Sequence, residues 1–217
     1  MSFDILRIAN TYGDIVALVC LAATVTVIIA TQFFKTGNTV KLGSIAALGT
    51  MIAAIAYYIP ESFRPGEGVS YPPIHDISTD TISPPEFVDV LPLRVNAPNT
   101  VVYGGSANMT PERLAQLSRE AYPDLVAQSY SATAETVFSK ALAAVDKLGW
   151  ELVAQVPAEG RIEATATTFW FRFKDDVVII IERQGAETIV NARSLSRVGG
   201  GDVGANAIRL RAFFALL

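Results

Sequence analysis

Two strings in this 217-residue chain carry residue types that could do chemistry. The first is His75-Asp76 with Asp80 close behind. An imidazole beside carboxylates can serve as an acid–base pair or offer ligands to a metal. The spacing is unspecific, and it lies in a proline-rich stretch, where Asp side chains commonly cap turns. The second string is Gly199-Gly-Gly201-Asp-Val-Gly204, which fits G-x-G-x-x-G. A dinucleotide fingerprint needs that motif inside a βαβ unit, with an acid on a following strand. Here the preceding strands read as antiparallel and only thirteen residues follow, so Rossmann binding is not expected. A turn into a helix capped by Asp202 is the plain alternative.

Arg193, Arg197 and Arg209 flank this glycine loop. Guanidiniums beside backbone N–H groups at a helix N-terminus can hold an anion. Asn206 falls one helical turn after Asp202 and can face the same loop. Asn191 and Arg193 share one face of their strand, Ser194 and Ser196 the other, and Arg161 shares a face with Glu163 on a neighbouring strand. Arg161, Glu163, Arg193, Arg197, Asp202, Asn206 and Arg209 therefore form a candidate cluster. It is either an anion site or an internal clasp in which Glu163 and Asp202 neutralise the arginines. Asp175-Asp176 reads as a solvated hairpin turn. With His75 the only histidine and Cys20 the only cysteine, a Cys/His zinc site and a disulfide framework are excluded, and no cofactor or metal is expected.

These residues need elements to hold them. Thr110-Pro111-Glu112 has the order of an N-cap, a first-turn proline and a first-turn acid, so a helix should run to about Ala121. Val137, Phe138, Ala141, Val145 and Leu148 recur at helical spacing over 134–148. The period then falls to two. Strands are expected over 150–156, from 161 as far as Phe173, over 177–183 and over 187–196, with Lys174-Asp-Asp as a turn. A last helix should run from about Asp202 to Leu217. Short turns between strands imply an antiparallel meander. The expected class is α+β, with helices packed on one face of the sheet over 111–217. Residues 61–110 hold seven of the eleven prolines and no apolar period, and read as an extended linker. Among the aromatics of Phe169-Trp-Phe171, one should point outward.

The N-terminal part is different. Residues 1–60 hold three basic and two acidic side chains of the chain's seventeen and twenty-one. Ile15–Phe34 and Leu42–Ile59 are uncharged, and about 20 apolar residues span a bilayer. Tyr57 and Tyr58 precede Pro60, a position suited to the lipid–water interface. The second run is rich in Gly and Ala, which let helices approach closely. Together they predict a two-helix transmembrane hairpin over 1–60, helices at about 15–34 and 42–59, with Cys20 packed as a small apolar residue. The first run is too long, and its leading tail too little basic, for a cleaved signal peptide. Lys35 and Lys41 in the connecting turn place that turn in the cytoplasm. The N-terminus and residues 61–217 then face the periplasm of a bacterial inner membrane. The net charge of −4 argues against nucleic acid as a partner.

Several strings taken together resemble a known family, domain of unknown function 1499. They are Pro73-Ile-His-Asp-Ile-Ser-Thr-Asp80, Tyr122-Pro-Asp124, Arg161-Ile-Glu-Ala164, Phe173-Lys-Asp-Asp-Val-Val178, Arg193-Ser-Leu-Ser-Arg-Val-Gly199, Asp202-Val-Gly-Ala-Asn206 and Arg209. The resemblance covers about residues 70–217 in unbroken order. Bacterial relatives with membrane helices before the domain look similar. Members often carry a basic residue soon after Asp-Asp, where this chain has Ile179-Ile-Ile181. The resemblance implies the fold and no mechanism.

Three functions remain open. The first is a non-catalytic accessory or scaffold protein, held in the bilayer, whose outer domain associates with another integral membrane protein complex. The second is a binding module for a small anionic or lipidic ligand. The third is a hydrolase or lyase using His75 and Asp80.

Overall fold

The computed structural model describes residues 18–29, 39–61, 71–106, 108–169 and 171–217. They divide between two units, Met1–Gly68 and Val69–Leu217. The tail with Arg7, Asp4 and Asp14, most of the Lys35–Lys41 turn, residues 62–70 and Trp170 lie outside the described residues, as do both ends of the first apolar run.

In the first unit, residues 18–29 are helical (α1) and a second helix covers Thr39–Glu61 (α2). Thr24, Ala46 and Ala53 are buried, and a Cβ placed on Gly49 would sit 3.1 Å from Thr24 Oγ1. Leu18, Val19, Leu21 and Val25 of α1 are exposed, as are Leu48, Met51, Ile52 and Ile55 of α2. Thr24, Ala46 and Ala53 thus face inward and the large aliphatic residues outward, while Ala22, Ala23, Ala47 and Ala54 are also exposed. Thr24 and Thr50 donate their hydroxyls to the carbonyls of Cys20 and Ala46, one turn back. Cys20 is half-buried. Among the described residues no helix is long and apolar enough to cross a membrane. The structure therefore does not support the transmembrane hairpin expected over 1–60, and that expectation rests on the uncharged runs of the sequence alone.

The second unit is α+β. Its strands are Asp76–Ser78 (β1), Gln128–Tyr130 (β2), Glu151–Val156 (β3), Arg161–Thr167 (β4), Lys174–Gln184 (β5) and Glu187–Ser196 (β6). They form one antiparallel sheet in the order β1-β6-β5-β4-β3, and β2 also pairs with β6. Pro111–Ala121 (α3), Ala134–Lys147 (α4) and Ala205–Phe214 (α5) are the helices. Thr110 Oγ1 accepts from Arg113 N at the start of α3, and Thr133 Oγ1 from Thr136 N at the start of α4. All three helices lie against one face of the sheet. There Ile162, Val177, Ile179 and Ala192 pack with Leu114, Val137, Ala141, Val145, Leu210 and Phe213. Trp150 stacks on Phe213 at 6.0 Å between centroids.

The opposite face is covered by the proline-rich stretch. Phe87 and Val90 pack on Val178 and Leu195, with Val101, Val153 and Ile180 around them. This stretch is more than a linker, for it contributes β1 and a short 3-10 turn, Leu91–Arg94. A strand of three residues leaves no period to detect, and β2 was missed for the same reason. A further correction concerns the β4–β5 hairpin. Its turn is Thr168–Phe173, where Thr168 N donates to Phe173 O and Phe173 N to Thr168 Oγ1. Phe169 stands exposed there. Lys174, Asp175 and Asp176 belong to β5, and both aspartates are buried. The solvated-turn reading of Asp175-Asp176 is thus overturned. Gly160 closes the β3–β4 turn at φ +60°, and a Cβ there would strike Ile181 O at 2.0 Å, so only glycine fits.

Candidate functional site

Antiparallel register puts Glu163, Val178 and Arg193 side by side on the loop-covered face, with Thr165, Asp176 and Leu195 in the next row. β1 adds Ser78 opposite Arg193 and Asp76 opposite Leu195. Charged side chains from four strands are thereby placed beneath the proline-rich stretch.

Arg193 meets Asp76 in a two-pronged pair, Nε to Oδ1 at 2.9 Å and Nη2 to Oδ2 at 2.7 Å. It also donates to the carbonyls of Pro85 and Val101, and its guanidinium lies over the rings of Phe87 and Tyr103 at 5.1 and 5.3 Å. Burial pushes the Tyr103 hydroxyl up to about 12. Asp176, fully buried, receives four donors. Arg94 Nη1 and Arg197 Nε reach Oδ2 at 2.5 and 2.9 Å; Thr165 Oγ1 and Arg197 Nη2 reach Oδ1 at 2.7 and 2.8 Å. Burial works against its charge, yet hydrogen bonds from Arg197, Thr165 and Arg94 outweigh that and hold the carboxyl below its ordinary value. Burial pulls Arg94 down despite the same bond.

Glu163 is also fully buried. Its carboxylate accepts from Val88 N at 2.8 Å, Val90 N at 2.9 Å and Arg161 Nη1 at 2.6 Å. Arg161 further donates to Asp89 and Glu159. Burial opposes its charge too, and the bonds it donates to Asp89, Glu159 and Glu163 raise it above the ordinary guanidinium value.

On the helix-covered face, Arg209 pairs with Asp175 at 2.5 Å. Asn206 accepts from Ser194 Oγ at 2.6 Å and donates to Ser196 Oγ and His75 O. Asp202 accepts from Gly204 N at 2.9 Å and Asn206 N at 2.8 Å, three residues before the first helical residue of α5, whose N-cap position is Gly204. Burial raises its carboxyl against those backbone bonds.

Residues 76–217 match the family described as a protein of unknown function, DUF1499. The chain belongs to that family. No curated protein matches it.

The DUF1499 domain distributes the expected cluster over both sheet faces. Arg161, Glu163, Arg193 and Arg197 lie under the proline-rich stretch; Asp202, Asn206 and Arg209 lie with α5. The expected neutralising pairs are corrected as well. Arg193 is met by Asp76, Arg197 by Asp176 and Arg209 by Asp175, while Glu163 holds Arg161; Asp202 is not the expected N-cap, a position taken by Gly204, and its carboxylate accepts from Gly204 N and Asn206 N in the turn before α5. Arg94, Asp89, Asp175 and Asp176 were missed. The even alternation of Asp176, Val178 and Ile180 against Asp175, Val177 and Ile179 was the available signal, hidden by the polarity of Lys-Asp-Asp.

His75, Asp76 and Asp80 do not converge. Asp76 is held by Arg193, and Asp80 Oδ1 accepts from Ile82 N and Ser83 N in a turn. Among the described residues there is no group of three or more His, Cys, Asp or Glu side chains that could hold a metal. His75 instead faces a cavity of about 440 Å³ shared with the Gly104–Ser106 and Gly199–Gly200 loops.

Proposed function

We propose that the protein is a membrane-anchored, non-catalytic accessory protein whose DUF1499 domain docks on another membrane protein complex and stabilises it. One observation carries this reading. The stretch pinned by the ion pairs turns a row of aliphatic side chains outward: Ile82, Val88, Leu91, Leu93, Val95 and Val102, with Ile82 90% and Val95 80% exposed. A soluble monomer seldom leaves so many large aliphatic side chains exposed on one short stretch unless something covers them. Among them Glu86 is exposed and acidic, which suits a basic partner protein better than an anionic lipid surface.

The first unit supports the anchor. Its helices bury Thr24, Ala46 and Ala53 and turn large aliphatic residues outward, the reverse of a hairpin folding in water and the arrangement favoured in lipid. The uncharged runs supply the length, and Lys35 and Lys41 put their turn in the cytoplasm, with the domain in the periplasm of a bacterial inner membrane. The anion-site reading of the arginines draws no support from the geometry. The guanidiniums of Arg94, Arg161, Arg193, Arg197 and Arg209 are all met by carboxylates, from Asp76, Asp89, Glu159, Glu163, Asp175 and Asp176. A hydrolase using His75 and Asp80 would need them to meet on one substrate, and Asp80 is turned into a backbone cap.

The test is purification of the native protein in mild detergent, alone and as Ile82→Asp with Val95→Asp. The parent should travel with a larger assembly. The double variant should travel alone while its melting temperature stays within a few degrees. A parent that migrates alone from native membranes sinks the docking role. A cysteine at 69–217 that reacts with an impermeant reagent only after lysis of the inner membrane reverses the topology.

A further inference from the structure

The β4–β5 turn is built from residues that a turn does not need. Thr168–Phe173 follows the last registered pair, Thr167 with Lys174. It holds Phe169, Trp170, Phe171, Arg172 and Phe173, with none of the Gly, Asn, Asp or Pro residues that favour turns. Its base is fastened by the two Thr168–Phe173 bonds, and Arg172 N donates to Thr168 O at 3.1 Å. These closing bonds come from the backbone and the Thr168 hydroxyl, so the hairpin does not need the rings in order to turn. Arg172 bends the chain at φ +55°, where a non-glycine residue seldom sits. Phe171 stacks on Phe173 at 5.7 Å between centroids, while Phe169 is 78% exposed. A fastened turn thus presents a large aromatic side chain at its outer end.

The charges around the turn say what it meets. Arg172 is exposed, and its side chain has no partner among the described residues. Lys174 meets Glu151 at 3.4 Å, with both side chains partly exposed. Asp175 and Asp176, next along β5, are buried and taken up by Arg209, Arg94 and Arg197. Aromatic rings beside basic side chains suit the headgroup level of a bilayer. The rings enter the boundary with the acyl chains, and Arg and Lys lay their stems on apolar surface with the charge among lipid phosphates. A protein partner fits this turn less well, because a specific interface takes about 800 Å² from each side, far more than one six-residue turn offers. The tether agrees with lipid. Residues 62–75 alone separate α2 from β1, at most about 50 Å of extended chain, so the second unit stays within reach of whatever holds the first.

We infer that the Thr168–Phe173 turn docks on an anionic lipid surface, with Phe169 at the boundary between headgroups and acyl chains and with Arg172 and Lys174 on lipid phosphates. For its nearness to lipid this rests on the bilayer anchor proposed for the first unit. It goes beyond the docking role, because the lipid contact falls on the basic, aromatic turn and the protein contact on the aliphatic row around Glu86.

The chain has two tryptophans, Trp150 and Trp170. Trp150→Phe keeps a ring against Phe213 and leaves Trp170, next in sequence to Phe169, as the one tryptophan. The full-length variant is reconstituted in vesicles of phosphatidylcholine, with or without phosphatidylglycerol, whose acyl chains carry bromine. The bromines should quench Trp170 in vesicles that contain phosphatidylglycerol, and markedly less in phosphatidylcholine alone. Arg172→Gln should lower the ratio of embedded to free turn about fivefold in the anionic vesicles, the worth of one basic residue near such a surface. Phe169→Asp should abolish the quenching at an unchanged melting temperature, since the side chain is 78% exposed. A separate chain with Trp150→Phe, Trp170→Phe and Val25→Trp reports on the anchor, because Val25 is exposed on α1, midway along the first apolar run. Quenching in the Val25→Trp chain without quenching of Trp170 overturns the inference and leaves the anchor standing. Quenching of Trp170 alone supports the inference and overturns the anchor. Trp170 quenching that is equal in the two kinds of vesicle, that ignores Arg172→Gln or that persists in Phe169→Asp also overturns the inference.

Discussion

The two faces of the sheet solve the same problem by opposite means. Against the helices, β4, β5 and β6 present Ile162, Val177, Ile179 and Ala192. Helices satisfy their own backbone groups, so they ask only for apolar contact. Against the proline-rich stretch the same strands present Glu163, Asp176, Arg193 and Arg197. An irregular segment cannot pair its own N–H and C=O groups, and a purely apolar face would leave them buried and unmatched. The charged side chains do that pairing. Glu163 takes the N–H groups of Val88 and Val90, Arg193 the carbonyls of Pro85 and Val101, and Arg197 that of Leu93. The lesson is that most of the buried charge here follows from the irregularity of what covers it, the Asp175–Arg209 pair beside α5 being the exception. The Arg–Asp pairs then keep the charge tolerable.

The largest effect should come from breaking the node that serves two arginines. Asp176→Ala leaves Arg94 and Arg197 buried against one another, both without their carboxylate. Breaking a buried pair by removing one partner costs about 3–5 kcal/mol. At about 2–4 °C per kcal/mol for a domain of this size, the melting temperature should fall by roughly 10 °C. A loss under about 3 °C would mean that water reaches the node and that the two faces differ less than argued. On the helix face Ile179→Ala should cost a similar amount, about 2–5 kcal/mol, through a cavity instead.

Glu163→Gln sharpens the comparison, because it keeps the shape and loses the charge. It should destabilise less than Asp176→Ala, and locally. Amide exchange at Val88 and Val90 should speed up, while Val177 and Ile179 stay protected near the global limit. Uniform loss of protection over both faces would show that the loop-covered side has no opening of its own.

The helices, β3 to β6 and the α+β class were legible in the sequence because periods of 3.6 and 2 persist over enough residues. β1 and β2 are too short for that. The arginines were visible as a group, since Arg193 and Arg197 end a recognisable strand. Their carboxylates were not. Asp76 sits 117 positions from Arg193, a separation at which no local pattern speaks. Asp176 was mistaken for a turn because turn chemistry and a buried acid at a strand entry share the same letters. Arg94 lies in a stretch without period, and only the fold shows that it points inward. The cavity at His75 needs β1, the Gly104 loop and the Gly199 loop together, and their meeting is purely tertiary.

Two aspartates, one on each face, should give pH dependences of opposite sign, and this is the finest test of the contrast. Asp176 has a folded value below its unfolded one of about 3.9. Its stabilisation is therefore complete above that unfolded value and is lost as pH falls through the lowered one. In Asp176→Asn the deficit against the parent should be full at pH 6 and shrink as the pH drops through that acid range. Asp202 has a folded value above its unfolded one, because burial at the start of α5 disfavours the charge more than the bonds from Asn206 N and Gly204 N favour it. Here ionisation works against folding. The penalty is absent below the unfolded value and grows as pH rises to the raised one. Asn at this position can still accept one of the two backbone N–H groups and carries no charge to bury. Asp202→Asn should thus change stability by less than about 1 kcal/mol at neutral pH, the smallest effect of the set. Its difference from the parent should become more favourable to the variant as pH rises through the window just above the ordinary aspartate range. Denaturant titrations of both variants at several pH values between 3 and 7 decide it. Parallel curves for the two would mean that neither the arginines around Asp176 nor the burial of Asp202 shapes their charge, and the account of the two faces would have to be redrawn.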